Sequence, residues 1–146
     1  MGDDQQRRIR DVRERFERSE FHSRWLGLRL DDVSPGEAAV SLALAPRHLN
    51  LMGTLHGGLI STLADTATGL SLRTLLDADA SFVTTQLSVV FLAPGREGSV
   101  QARGRVVRAG RRFGYAEADV TDQDGRLLAR ATATFAISTD RGEQPQ

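Results

Sequence analysis

The chain has 146 residues, with 19 acidic and 19 basic side chains and no formal net charge. That is one domain of ordinary size with room for a core, and its balanced charge excludes the basic field of a nucleic-acid or anionic-membrane binder. With no Cys it has no disulfide, thiolate nucleophile or thiolate metal site, and its three histidines lack the HxxxH or HxH spacing of a zinc site.

Every basic residue is Arg. No apolar run approaches membrane-spanning length and the first residues are charged, so a cytoplasmic protein is expected. Residues 3 to about 20 (DDQQRRIRDVRERFERSE) predict a helix, with Ile9, Val12 and Phe16 as a narrow apolar stripe and Asp3 and Asp4 suited to the N-terminal dipole. The remainder of that helix is solvated, so residues 1–20 are expected as a peripheral element lying on the body.

Phe21, Trp25 and Leu26 lead into GLRLDDV, a predicted first strand. Trp25, the only tryptophan, is expected to pack in the core, although aromatics at this point could also line a pocket. Ser34-Pro35-Gly36 marks a turn. After it EAAVSLALA alternates Ala39, Ser41 and Ala43 against Val40, Leu42 and Leu44, the pattern of a second strand.

The next stretch, from Arg47 to Arg73, holds one formal charge between its two arginines, Asp65, in a chain that is 26% charged. It begins as a loop with Asn50, Gly53 and Gly57-Gly58, and predicts a helix from Gly58 to about Leu76. Ile60, Leu63, Ala64, Ala67, Leu70 and Leu75 recur at helical spacing and mark a buried face. The opposite face carries Gly58, Ser61, Thr62, Asp65, Thr68 and Gly69, small enough to admit a sheet, a partner helix or a ligand. Such a helix is expected to be buried, and Asp65 with it, without a partner at helical spacing. Desolvating a carboxylate is costly, so Asp65 is either a hydrogen-bond hub or a functional group. Glycines just ahead of the helix leave its first N–H groups bare, where they attract an anion or a developing oxyanion.

Ser81 to Leu92 (SFVTTQLSVVFL) is the strongest strand, rich in Val, Thr and Phe and ended by Pro94-Gly95. Val100 to Arg108, Phe113 to Thr121 and Leu127 to Ile137 follow as three strands of an antiparallel meander, separated by AGRR and DQDG. Residues 139–146 are a polar tail, expected to be disordered. No internal repeat, P-loop or GxSxG elbow is present. One helix among about six antiparallel strands is an α+β layout.

Asn50, Gly53, His56-Gly57-Gly58 and Ala64-Asp65 together resemble the signature of hotdog-fold acyl-CoA thioesterases of the PaaI-like, phenylacetate-degradation branch. The resemblance spans roughly residues 20 to 138. It implies a single hotdog domain over residues 21–138, a curved antiparallel sheet wrapped around one long central helix. It implies hydrolysis of an aromatic or medium-chain acyl-CoA to free acid and CoA, with no metal and no cofactor beyond the coenzyme A of the substrate. It also implies a homodimer or homotetramer (a dimer of dimers) with sites at the dimer interface. Asp65 would then act as general base or nucleophile, the Gly57 N–H as oxyanion donor, and His56 or Asn50 as a second contact to carbonyl or water. Relatives use a hydroxyl on the strand after the helix, for which Thr84, with Thr85 next to it, is the match. Gly58 and Thr68 are assigned to substrate binding. Arg96, Arg108, Arg111 and Arg112, all at turns near strand ends, are unranked candidates for the CoA phosphates, and Arg111 is counted with Gly58 and Thr68 as substrate-binding.

Two other functions compete. Hotdog hydratases and dehydratases usually carry Asp and His about one helical turn apart, whereas here nine residues separate His56 from Asp65. A non-catalytic acyl-CoA sensor needs no such carboxylate and usually carries a DNA-binding segment, which this chain lacks.

Overall fold

The computed structural model describes residues 1–139; the polar tail expected from residue 139 otherwise lies outside them. In chain order the elements are α1 (Asp3–Arg18), a π-helical turn (Glu20–Trp25), β1 (Leu28–Ser34), β2 (Glu37–Ala43), a short 3-10 turn (Pro46–His48), α2 (Gly57–Arg73), β3 (Ser81–Phe91), β4 (Ser99–Ala109), β5 (Phe113–Asp122) and β6 (Leu127–Ser138). The six strands form one antiparallel sheet in the order β1-β2-β4-β5-β6-β3. The expected meander is β4-β5-β6; β3 crosses over to pair with β6 and becomes the outer strand on that side.

The sheet curves around α2. Ile60, Leu63, Ala64 and Ala67 of the helix pack with Val40 and Leu42 of β2, Val100 and Ala102 of β4, and Val120 of β5, all buried. One glycine sets how closely the layers approach. A Cβ at Gly104 on β4 would lie 2.4 Å from the Ala67 carbonyl oxygen and 2.7 Å from the Thr68 nitrogen, closer than a side chain can come. The helix backbone therefore rests directly on the β4 backbone at its midpoint.

α1 is anchored by the stripe read from the sequence. Val12 packs with Val33 and Ala38, and Phe16 reaches the main core.

Three expectations need correction. The buried face of α2 is rotated from the predicted one, with Thr68, Ser71 and Leu72 buried while Leu70 and Leu75 are only half-buried. Hydroxyls can go inside here because each donates to a carbonyl of its own helix: Thr68 to Ala64 and Asp65, and Ser71 to Thr68. Trp25 is not in the core; it is 76% exposed at the end of the π turn, and Phe21 is half exposed. Finally, α2 stops at Arg73, earlier than Leu76. The buried Arg73 guanidinium donates to the carbonyls of Ala80 (2.6 Å), Leu76 (3.2 Å) and Asp77, all in the turn between α2 and β3.

Candidate functional site

The loop ahead of α2 is organised by Asn50. Its Oδ1 accepts from the N–H groups of Met52 (2.9 Å) and Thr54 (3.1 Å), and its Nδ2 donates to the Thr54 hydroxyl (3.0 Å). Asn50 thus spends its polar atoms on shaping the loop that delivers His56. That imidazole caps the helix: Nδ1 accepts from the Gly58 N–H at 2.9 Å. A ring nitrogen that accepts an N–H carries no proton, so the neutral ring holds its proton on Nε2.

The cap divides the two glycines. The Gly58 N–H is taken by His56, and a Cβ at Gly58 would lie 2.9 Å from Nδ1, so this glycine makes room for the ring. The Gly57 N–H has no acceptor among the described residues. It stands alone at the positive end of a 17-residue helix. Gly57 can therefore meet an anion, whereas Gly58 has no N–H left to offer one.

Asp65 lies two turns further on. Contrary to expectation it is half-buried, because the helix face that carries it is left uncovered by its own sheet. It has one partner from outside α2: the Thr84 hydroxyl donates to Asp65 Oδ1 at 2.8 Å. A bulge in β3 produces this contact. Thr84 pairs with Phe135 and Gln86 with the adjacent Thr134, leaving Thr85 as the extra residue. Thr85 turns the other way and bonds the Thr134 hydroxyl at 2.9 Å. Of the two candidate hydroxyls only Thr84 meets the carboxylate.

Thr68 does not belong to this site. It is fully buried and its hydroxyl is committed to helix carbonyls, so the substrate role expected for it is not open to it. Arg111 lies elsewhere, in the β4–β5 hairpin beside Arg112, on the wall of a cleft of about 1190 Å³ at the far end of α2. Both are exposed and neither has an acidic partner among the described residues.

Over residues 52–129, more than half its length, the chain matches the Thioesterase superfamily. It belongs to that family. Human acyl-coenzyme A thioesterase 13 is 26% identical to it, the match covering 86% of this chain and 91% of the human protein. The crystal structure of a thioesterase family protein from Silicibacter pomeroyi superposes with a TM-score of 0.84 at 30% identity, covering 89% of this chain and 97% of that one. The E. coli PaaI protein from the phenylacetic acid degradation operon shares the fold at 21% identity (TM-score 0.82, covering 91% and 94%). The hotdog architecture expected from the motif is thereby established for this thioesterase-family chain. No helix among the described residues is long and apolar enough to cross a membrane.

One residue beside Asp65 escaped the sequence reading. A cavity of about 320 Å³ has Asp65 and Thr84 on its wall, and α1 and the π turn contribute Phe16, Ser19 and His22 to the same wall. Burial pushes the His22 pKa below its ordinary value, and the Asp65 carboxylate opposes that shift. A lone histidine on a helical segment gives no signal in sequence, and only the packing of α1 against α2 brings it here.

Proposed function

We propose that the chain hydrolyses an acyl-CoA thioester, with an aromatic or medium-chain acyl group, to the free acid and CoA. The observation that carries this reading is the Thr84–Asp65 pair on the wall of an open cavity in a thioesterase-family fold. Thr84 donates to one carboxylate oxygen and fixes its direction, leaving the other oxygen to act. As general base, that oxygen removes a proton from water as the water attacks the thioester carbonyl; the C–S bond then breaks and CoA leaves as the thiolate. As nucleophile, Asp65 attacks the carbonyl itself, the C–S bond breaks with CoA leaving as the thiolate, and water opens the resulting mixed anhydride to release the acid and restore the carboxylate.

The carbonyl oxygen gains negative charge in either route and needs a fixed donor, the role assigned to the Gly57 N–H. His56 has an Nε2 proton to offer as a second donor. The Gly57 N–H and the Asp65 carboxylate are eight residues apart on one helix, about 12 Å at 1.5 Å per residue. That is too far for both to act on one carbonyl, where reacting atoms approach to about 3–3.5 Å. The reading therefore includes a homodimer, alone or paired into a tetramer, in which Gly57 of one copy faces Asp65 of the other. The outer edge of β3, with Val83, Val90 and Phe91 exposed, suits that pairing, since a long apolar edge left open invites association.

Arg111 and Arg112 suit the CoA phosphates. Neither has an acidic partner among the described residues, and the nearby Asp77 carboxylate is already paired with Arg8 at 2.6 Å. The scheme uses no metal and no separate cofactor. Assaying a series of acyl-CoA thioesters, with released thiol read by a chromogenic reagent, tests it. Turnover of aromatic or medium-chain thioesters that disappears in Asp65→Asn is expected; no turnover of any acyl-CoA overturns the reading.

A further inference from the structure

The cavity beside Asp65 has three walls. α2 supplies Asp65, Gly69 and Leu70, β3 supplies Phe82 and Thr84, and α1 with the π turn supplies Phe16, Ser19 and His22. Its middle is apolar, through Phe16, Leu70 and Phe82. Asp65 and Leu70 bound the α2 wall, so the cavity runs about 7.5 Å along the helix, the length of a short chain or a single ring.

His22 is the polar group that this wall adds. Its ring is held on three sides: Nδ1 contacts the Ser19 hydroxyl at 2.8 Å, the Phe16 ring lies 5.9 Å away, and the Phe21 ring meets it edge-on at 5.1 Å. Ser19 also accepts from the His22 backbone N–H at 3.2 Å, which ties the hydroxyl to the same turn. Nε2 has no partner among the described residues. An imidazole clamped in this way, with one nitrogen unused on a largely apolar wall, is prepared for a ligand atom.

We propose that this cavity is the acyl subsite and that His22 is a specificity-determining residue that selects acyl groups bearing a hydroxyl near their far end. The proposal rests on the thioesterase reading, which places the carbonyl at Asp65. A hydroxyl fits because it both donates and accepts, and so satisfies Nε2 in either tautomer. A methyl end leaves that nitrogen unpaired. A carboxylate end would lie in the same small cavity as the Asp65 carboxylate, and Arg15, the cation on the wall, already holds Asp11 at 2.8 Å.

The test compares kcat/KM for 6-hydroxyhexanoyl-CoA and hexanoyl-CoA in the wild type, His22→Leu and His22→Gln. The wild type should favour the hydroxylated substrate about five- to tenfold, the contribution of one neutral hydrogen bond. The ratio should fall to near one in His22→Leu and return in His22→Gln, whose amide also donates and accepts. A wild-type ratio near one, or an unchanged ratio in His22→Leu, overturns the proposal. A second readout separates its failure from that of the thioesterase reading. Ketone analogues of both thioesters, with CH₂ in place of sulfur, are titrated into Asp65→Asn while the His22 imidazole resonance is followed by NMR. Movement with the hydroxylated analogue alone supports the His22 role even if no thioester turns over; a stationary resonance overturns it.

Discussion

The Thr84 hydroxyl donates to Asp65 Oδ1 across 2.8 Å and joins the outer strand of the sheet to the middle of its central helix. The contact needs the β3 bulge, because without the extra residue at Thr85 the hydroxyls beyond it would point to the other face. Replacing Thr84 by Val keeps the shape and removes the donor. We expect kcat to fall about tenfold, with stability changed by about 1 kcal/mol or less, as for one hydrogen bond at an exposed site. Thr84→Ser should retain most activity. Equal rates for the Val and Ser variants would leave the hydroxyl without a role.

Asp65→Asn removes the proposed base or nucleophile while keeping the volume. Turnover should drop by roughly two to four orders of magnitude. Because Asp65 is half-buried with a hydroxyl partner, the fold should survive with its melting temperature within a few degrees of wild type. Near-normal turnover would make Asp65 a structural residue.

Gly57→Pro deletes the proposed oxyanion donor cleanly. Gly57 is the first helical residue, where Pro is well accepted, and His56 already has the extended φ −59°, ψ 131° that Pro requires of its predecessor. The variant should fold and be inactive. Mixing it with inactive Asp65→Asn chains should restore activity in about a quarter of sites, given random exchange into two-fold dimers. No recovery after verified exchange would place both groups in one chain's site.

His48 gives a pH dependence to stability. It is buried, its Nδ1 accepts from the Ala45 N–H at 3.0 Å, and its Nε2 lies 3.2 Å from the Leu26 carbonyl, so the folded protein holds it neutral. Burial and the charge of Arg47 lower its pKa from the ordinary 6.5. A depressed folded pKa means that its contribution is complete above the unfolded pKa and is lost as pH falls below it, when the unfolded chain binds the proton first. Denaturant midpoints should decline below about pH 6.5, with His22 adding in the same direction. A His48→Gln variant whose midpoints decline as steeply as wild type would remove His48 from the account.

Gly104→Ala tests the closest approach in the fold. Its Cβ would meet helix backbone at 2.4 Å, which no rotamer change relieves, so a loss of about 2–4 kcal/mol is expected. A melting temperature equal to wild type would show that α2 can lift off the sheet without cost.

Much of this was legible in sequence because it follows from periodicity and turn chemistry. All six strands appear within two residues of the predicted boundaries, and the β3 hydroxyl that meets Asp65 was one of two adjacent candidates. The misreadings have a common origin in groups whose polarity is satisfied out of view. Thr68 looks like part of a polar face until its hydroxyl is seen bonded to helix carbonyls. Asp65 was expected inside because the small residues around it suggested cover, and one chain does not supply that cover. The π turn has no periodic signature, so Trp25 was assigned to a core that it never enters, and His22 was passed over.

Arg73 gives the helix terminus a reach into the next element. Its fork joins the end of α2 to Ala80, the residue immediately before β3, so the strand carrying Thr84 leaves from a point fixed to the helix carrying Asp65. The spacing of donor and carboxylate is thus surveyed from two directions, by β6 along the ladder and by a single planar cation at the corner. A lysine at this position would keep the charge but lose the rigid fork, and the corner would become a hinge.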